Sequence, residues 1–126
     1  MRVYKVKVFA RFQRRERIAD AALAKAVRDA EAGLIDADLG GGLIKQRVAR
    51  PGRGKRGGYR TVIVYRRSEL AVFLLGFAKS ERANVDDDEL EDLREQARAF
   101  LGLREDQIET GIVEDELTEV NYGDED

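Results

Sequence analysis

The spacing of hydrophobic positions divides the chain into an N-terminal part that is mainly helical and a part beyond residue 43 with the period of strands. Tyr4, Val6 and Val8 alternate with lysines, which predicts a half-buried opening strand. Phe9 and Phe12 follow at helical spacing and predict a short basic turn of helix.

A second helix is predicted between Asp20, which can cap its start, and Gly33, which can end it. Its apolar face consists of positions three or four residues apart, with Leu23, Ala26, Val27, Ala30 and Leu34 as members. Residues 36–42 contain two aspartates and three glycines and are predicted to be a connector.

Beyond this connector, a period of two predicts strands at about 43–49, 58–66 and 69–77. The second and third strands are joined by Arg67 and Ser68, which predicts a tight hairpin. The third strand is apolar on both faces, so we expect it near the middle of the sheet with cover on at least one side.

A last long helix is predicted to start near Asp86, with Asn84 or Asp86 as its cap and Gly102 as its stop. The tail beyond it has a weaker apolar pattern that predicts a short helix and a short strand, carried by Ile108, Ile112, Leu117 and Val120.

These elements predict one α+β domain over residues 1–103, followed by an acidic extension over 104–126. The expected fold has an antiparallel-dominated sheet of about four strands. The two N-terminal helices should pack on one face of this sheet, and the 86–101 helix should lie at its end.

Composition narrows the chemistry, because the 126 residues include no cysteine and no histidine. Disulfides, cysteine or histidine zinc sites and Ser-His-Asp triads are therefore excluded. No apolar run has the length of a membrane span or a signal-peptide core, so we expect a soluble cytoplasmic protein. We also expect that it needs no cofactor.

Charge is divided unevenly along the chain. Residues 104–126 hold ten acids and one base, a net −9, whereas residues 1–103 carry +7. Residues 43–67 contain nine bases and no acid, which favours binding of a polyanion over the alternative of a merely solvated face. The acidic tail, with its apolar anchors, is expected to fold back at least partly onto this basic body.

The loop PGRGKRGG at 51–58 contains a formal G-x-G-x-x-G pattern, at Gly52, Gly54 and Gly57. A strand is predicted after it where a dinucleotide site needs a helix, so we interpret it as a flexible basic loop or an ordinary hairpin loop. The acidic run 86–89 and the pair Asp36 and Asp38 lack the spacing of a calcium loop, and we expect no metal.

Strand alternation places Lys45 and Arg47 on one face of their strand, and Arg60 on one face with Val62 and Val64. An arginine beside buried valines is costly unless an anion or an ionic partner is present. The alternative is an arginine at a sheet edge that extends its charged end to water.

The order of these elements resembles the RelE/ParE superfamily of bacterial toxins, on the RelE and HigB side. The resemblance covers residues 3 to about 102 and rests on the strand-helix-helix start and on three segments, DLGGGLIKQRVAR (38–50), GGYRTVIVY (57–65) and GFAKSERAN (76–84). It implies a small endoribonuclease that cleaves mRNA, often on the ribosome, and that a cognate antitoxin silences.

The resemblance also implies site residues. Arg60 falls on the strand arginine that contacts the scissile phosphate, with Lys45 as candidate base, Lys79 as candidate acid and Arg47 as a second phosphate clamp. Tyr59 or Tyr65 is a candidate for stacking on a base. Further expected RNA contacts are Arg50, Arg53, Lys55, Arg56 and Arg82.

Two other functions stay open at this point. One is a toxin of the ParE kind that binds DNA gyrase without chemistry, or an inactive relative. The other is a basic module that only binds RNA or DNA. A nuclease needs Lys45, Arg60 and Lys79 to converge, whereas the other two functions do not.

Overall fold

A computed structural model of the protein describes residues 1–50 and 54–123, with the backbone alone for 54–56. In chain order, the described elements are β1 (Arg2–Val6), α1 (Lys7–Glu16), α2 (Asp20–Glu31), β2 (Ala37–Gly40), β3 (Leu43–Arg50), β4 (Gly54–Arg66), β5 (Leu70–Ala78), α3 (Asp87–Leu101), α4 (Glu105–Val113) and β6 (Leu117–Glu119). Within this described part, no helix has both the length and the apolar character needed to cross a bilayer.

The strands form one mixed sheet in the order β2-β3-β4-β5-β1-β6. Only the β1–β5 pair is parallel among the described pairs, so the sheet is antiparallel-dominated as predicted. The expected number of about four strands was too low. The structure adds β2 inside the predicted connector, and the short strand predicted in the tail, β6, also joins the sheet; both lie at its edges.

Helices cover both faces of the sheet. On one face, Phe9 and Phe12 of α1 and Leu23 of α2 pack with Phe73 of β5 in one hydrophobic core. On the other face, Leu93 of α3 belongs to a second core. The predicted position of α3 at the end of the sheet was therefore wrong, because its apolar stripe needs a sheet face to be buried. The prediction that β5 is central is confirmed, since both of its faces are covered.

Gly76 of β5 makes room for the aromatic rings of α1. A Cβ atom at this position would lie 2.6 Å from Cδ2 of Phe12 and 3.0 Å from Cε2 of Phe9. The absent side chain therefore lets α1 approach the sheet closely.

Val8 was predicted to continue the opening strand, but it lies in α1 and is 58% exposed.

Several predicted boundaries shift. The N-cap of α2 is Ala19 rather than Asp20, and Leu34 lies beyond the helix and is exposed. The start of α3 is as predicted from Asp86, whose carboxylate accepts a hydrogen bond from the Glu89 amide at 2.8 Å.

Asp20 instead joins the start of α2 to β1 and to the tail. Its carboxylate accepts hydrogen bonds from Lys5 at 3.2 Å, from Gln13 at 2.7 Å and from the Asn121 amide at 3.1 Å. Burial alone would raise the pKa of Asp20, but these hydrogen bonds hold it below its ordinary value. The charged carboxylate therefore stabilises this junction.

The tail folds back onto the sheet, as predicted from its apolar anchors. The segment β6 pairs antiparallel with β1, with Tyr4 opposite Glu119, and Ile108 and Leu117 are buried in the α3-side core. Ile112 was expected as an anchor but is 38% exposed.

Candidate nucleic-acid interface

Three cations predicted for the site lie on the α3 face of neighbouring strands. Arg47 of β3 stands directly opposite Arg60 of β4, and Lys45 stands opposite Val62, which belongs to the α3-side core. Because side chains two apart share a face, Lys45, Arg47 and Arg60 project from the same side of the sheet. We call these three residues the basic row.

A bulge in β5 completes this surface. Ile63 pairs with Phe73 and Val62 pairs with Leu75, so β5 has one extra residue between them. After the bulge, each side chain of β5 faces the side of the sheet opposite to the one that regular alternation would give. Phe77 therefore lies opposite Arg60. The apolar ring therefore lies beside the basic row rather than in the α1-side core.

Arg60 is the most buried member of the row, with 6% of its surface exposed. Burial lowers the pKa of its guanidinium from the ordinary value, and the like charge of Arg47 lowers it further, whereas Asp36 acts in the opposite direction. Two arginines directly opposite each other repel, so the site attracts an anion.

Two polar residues that the sequence did not assign to the site bind the row. Asp36 accepts from Arg47 in an ion pair of 3.0 Å, and Asn84 accepts a hydrogen bond from the Lys45 ammonium at 3.1 Å. Both come from segments without regular periodicity, just before β2 and just before α3. The available signal was the acidic pair Asp36 and Asp38 close to a basic strand.

Arg82 forms the border of the site toward α3. Its guanidinium lies 4.6 Å from the ring centroid of Phe77 and forms two hydrogen bonds with Glu89, at 2.7 and 3.1 Å. These hydrogen bonds raise the pKa of Arg82. Arg82, which was predicted to contact RNA, therefore lies next to the row but is already paired with an acid of α3.

For the remaining predicted cations, the described residues show no contact with the row. Lys79 lies exposed in the turn directly after β5, and none of its described contacts joins it to Lys45 or Arg60. Arg53 is outside the described residues. Lys55 and Arg56 belong to β4, which starts at Gly54 rather than at the predicted residue 58.

Arg50 and Tyr59 are on the opposite face of the sheet. The Arg50 guanidinium lies 5.4 Å from the Tyr59 ring, and that ring is 2% exposed and packs edge-on against Phe12. Tyr59 is thus a core residue and cannot stack on a base. Tyr65 lies on the same side and donates its hydroxyl to Glu31 at 2.6 Å. The structure removes both tyrosines from the site.

The acidic residues considered as metal ligands have other partners. Asp86 caps α3, Asp36 pairs with Arg47, and Asp38 accepts a hydrogen bond from the Gly40 amide at 2.9 Å. Among residues 1–50 and 54–123, no three acids are grouped as a metal site requires.

Comparison with protein-family models matches residues 1–120 to the RelE toxin of the RelE/RelB toxin-antitoxin system. The chain belongs to the RelE toxin family. A comparison with curated proteins finds no match. As a RelE-type toxin, the protein is one half of a toxin–antitoxin system and pairs with an antitoxin. The match reaches residue 120, so it includes α4 and β6 of this RelE toxin as well as the sheet.

The basic row of this RelE toxin has the properties of a phosphate site. Two arginines can donate several hydrogen bonds to one phosphate, and Lys45 adds a third cation on the same face. An anion placed between Arg47 and Arg60 would relieve their mutual repulsion.

Proposed function

We propose that this toxin is a metal-independent endoribonuclease that cleaves mRNA at the basic row, on the ribosome, and so inhibits translation. This function places the toxin in the cytoplasm, where mRNA is translated. The proposal is consistent with the RelE family assignment, which identifies a toxin without naming its reaction.

The observation that carries the proposal is the buried Arg60 opposite Arg47. Natural sheets avoid like charges in directly opposite positions because the pair costs free energy. The cost is offset when the pair has an anion to bind, and the carboxylate of Asp36, which pairs with Arg47, is an example of the kind of group that these arginines accept. A phosphate of RNA is an anion with matching donor geometry.

The reaction we propose starts with attack of a ribose 2′-hydroxyl on the adjacent phosphorus. A new bond forms between O2′ and phosphorus, and the bond from phosphorus to O5′ of the next nucleotide breaks, leaving a 2′,3′-cyclic phosphate. Lys45 accepts the proton of the 2′-hydroxyl, and Lys79 donates a proton to the departing O5′. Arg60 and Arg47 stabilise the additional negative charge of the phosphorane.

The other basic residues extend the contact with RNA. We propose that three basic residues before Arg60 in the chain bind other phosphates of the same RNA molecule. They are Arg53, Lys55 and Arg56. Arg82 contributes when it exchanges Glu89 for a phosphate. Arg50 lies on the other face and contributes only to the overall positive potential.

The test compares the wild-type toxin with Arg60→Met in a reaction containing translating ribosomes and a defined mRNA. Cleavage positions are mapped by primer extension. Loss of a charged donor to the transition state should lower the cleavage rate roughly 100-fold or more. Arg11→Met, on the exposed side of α1, is the matched control and should cleave as the wild type does.

Two further readouts separate the alternatives. The product should carry a 2′,3′-cyclic phosphate, and a 2′-deoxy nucleotide at the cleavage position should block the reaction. Growth arrest by a wild-type protein that leaves mRNA intact would replace the nuclease with a protein-binding toxin of the ParE kind. RNA binding without arrest or cleavage would leave only a binding module.

A further inference from the structure

A small pocket lies beside the basic row, at the edge of the sheet. Its volume is about 360 Å³, and its described lining consists of Leu34, Ile35, Asp36, Gln46 and Arg47. Asp36 comes just before β2, at the point where β2 stops covering β3. We call this site the edge pocket. Because Arg47 belongs to both, the edge pocket opens directly next to the row.

The wall of the edge pocket is held in place by the buried side chain of Gln46, which is 3% exposed. Its amide nitrogen donates to the carbonyl of Ala26 at 2.9 Å and to that of Leu34 at 3.1 Å. Its amide oxygen accepts from the backbone N–H of Asp36 at 2.8 Å. Both sides of the Gln46 amide are therefore used to fix residues 34–36, so the pocket is formed before any ligand arrives.

The apolar part of the edge pocket is in contact with water. Leu34 is 64% exposed and Ile35 is 38% exposed, although both side chains are large and apolar. The faces of unstacked nucleobases bind to apolar side chains and to guanidinium planes such as that of Arg47. Ligand pockets have volumes of roughly 300–1,000 Å³, so this one is at the small end of the range and suits a single base.

Asp36 supplies the polar group that distinguishes one base from another. Its Oδ1 lies 3.0 Å from Nε of Arg47, and 18% of its side chain is exposed. A carboxylate has about four acceptor positions, so it can accept further hydrogen bonds beside this ion pair. Guanine has two adjacent donors, N1–H and the N2 amino group, which match the two oxygens of a carboxylate. In adenine, cytosine and uracil, each donor lies next to an acceptor that repels a carboxylate.

We propose that the edge pocket binds a guanine of the RNA whose phosphate occupies the basic row, and that Asp36 selects this base. The proposal rests on RNA binding at the row, which is part of the proposed function, but it does not depend on cleavage. Neighbouring strands are about 4.8 Å apart, so the row and the pocket are close enough for the phosphate and the base of one nucleotide. A phosphate at the row competes with Asp36 for Arg47, which releases the carboxylate toward the base.

The experiment measures the affinity of the toxin for short RNA oligomers by fluorescence anisotropy. The probes are adenosine pentamers with adenine, guanine or hypoxanthine at the central position, and hypoxanthine lacks the N2 amino group of guanine. All sugars are 2′-O-methylated, so that attack by a 2′-hydroxyl is impossible. The variant is Asp36→Asn. The matched control is Asp38→Asn, which makes the same change of charge two residues later, where the carboxylate accepts from the Gly40 amide outside the pocket lining.

The wild type should bind the guanine oligomer roughly tenfold more tightly than the adenine oligomer, with hypoxanthine between them. Asp36→Asn should lose this preference and favour adenine, because an amide both donates and accepts, as the edge of adenine requires. Each variant lacks one negative charge and should bind every oligomer somewhat more tightly, so the readout is the ratio of the guanine and adenine affinities. Asp38→Asn should keep the wild-type ratio.

Equal binding of the guanine and adenine oligomers by the wild type would overturn the proposal, and so would a guanine preference that survives Asp36→Asn. The wild type is also assayed for mRNA cleavage on ribosomes. Cleavage by a toxin that binds all oligomers equally would overturn the guanine site and leave the proposed function. A guanine preference that disappears in Asp36→Asn, in a toxin that leaves mRNA intact, would support the guanine site and remove the nuclease.

Discussion

Replacement of Gly76 by alanine tests how tightly α1 is packed on the sheet. The added Cβ would lie 2.6 Å from Cδ2 of Phe12 and nearer still to its Cε2. The Phe12 side chain cannot rotate away from the added methyl group, because its ring centroid lies 5.6 Å from that of Phe9 and 5.5 Å from that of Tyr59. One added methyl group must therefore shift α1 or β5.

Overpacking of this kind costs about 1–3 kcal/mol. The matched control is Gly102→Ala at the end of α3, where the nearest atoms to the added Cβ are 3.5 and 3.7 Å away and φ is −94°. That control should keep or slightly raise stability, because alanine lowers the entropy of the unfolded chain. The same chemical change should thus have opposite effects at the two positions.

The assay is urea unfolding of both variants, with stability taken from the midpoint and slope. Phe12→Leu, alone and combined with Gly76→Ala, forms a double-mutant cycle. If the Phe12 ring is the obstacle, the double variant should be more stable than the sum of single effects by about 0.5–3 kcal/mol. Additive effects, or a Gly76→Ala midpoint equal to that of Gly102→Ala, would refute the reasoning.

Three further predictions follow from charges and packing described above. Arg60→Met should bind an RNA oligonucleotide more weakly than the wild type, with the larger loss at low salt, because one cation of the basic row is gone; equal affinities at low salt would contradict this. The stability contributed by Asp20 is fully present above its unfolded pKa of about 3.9 and is lost as pH falls through its lower folded value, so Asp20→Asn should flatten the acid limb of stability against pH. Truncation after Leu103 should unfold the protein, as measured by circular dichroism. The double substitution Glu105→Gln with Glu109→Gln removes two negative charges of the tail, so it should keep the fold and strengthen RNA binding at low salt only.

Local periodicity predicted the elements whose partners are near in sequence. The strands β3, β4 and β5 follow one another, and alternation placed Lys45 with Arg47 on one face of β3 and Arg60 with Val62 on one face of β4. The observed register then puts these two faces on the same side of the sheet. Asp86 could also be predicted from the sequence as a candidate cap of α3, because the free backbone amides at a helix start need a hydrogen-bond acceptor. Tyr59 could have been excluded from the site in the same way, since neighbours in a strand face opposite sides.

Other features depend on contacts between distant segments. The parallel pairing of β1 with β5 has no local pattern, and neither has the choice of sheet face for α3. The bulge in β5 moves Phe77 beside Arg60, and the nearby Gly76 is an ambiguous signal, because a glycine inside a strand accompanies either a bulge or a close approach of another element. Asp36 and Asn84 contact the basic row from irregular segments, where periodicity gives no position.

The position of β1 between β5 and β6 has a consequence for how the chain folds during its synthesis. Tyr4 leaves the ribosome long before Glu119, yet it pairs with Val72 on one side and with Glu119 on the other. The hairpins of β3, β4 and β5 can form while translation continues, but the sheet can close only when the C-terminal segment has emerged. A nascent chain that stops before Leu117 therefore keeps an open edge at β1, and such an edge pairs readily with other chains. Closure of this sheet is thus a late event in synthesis, set by the arrival of β6.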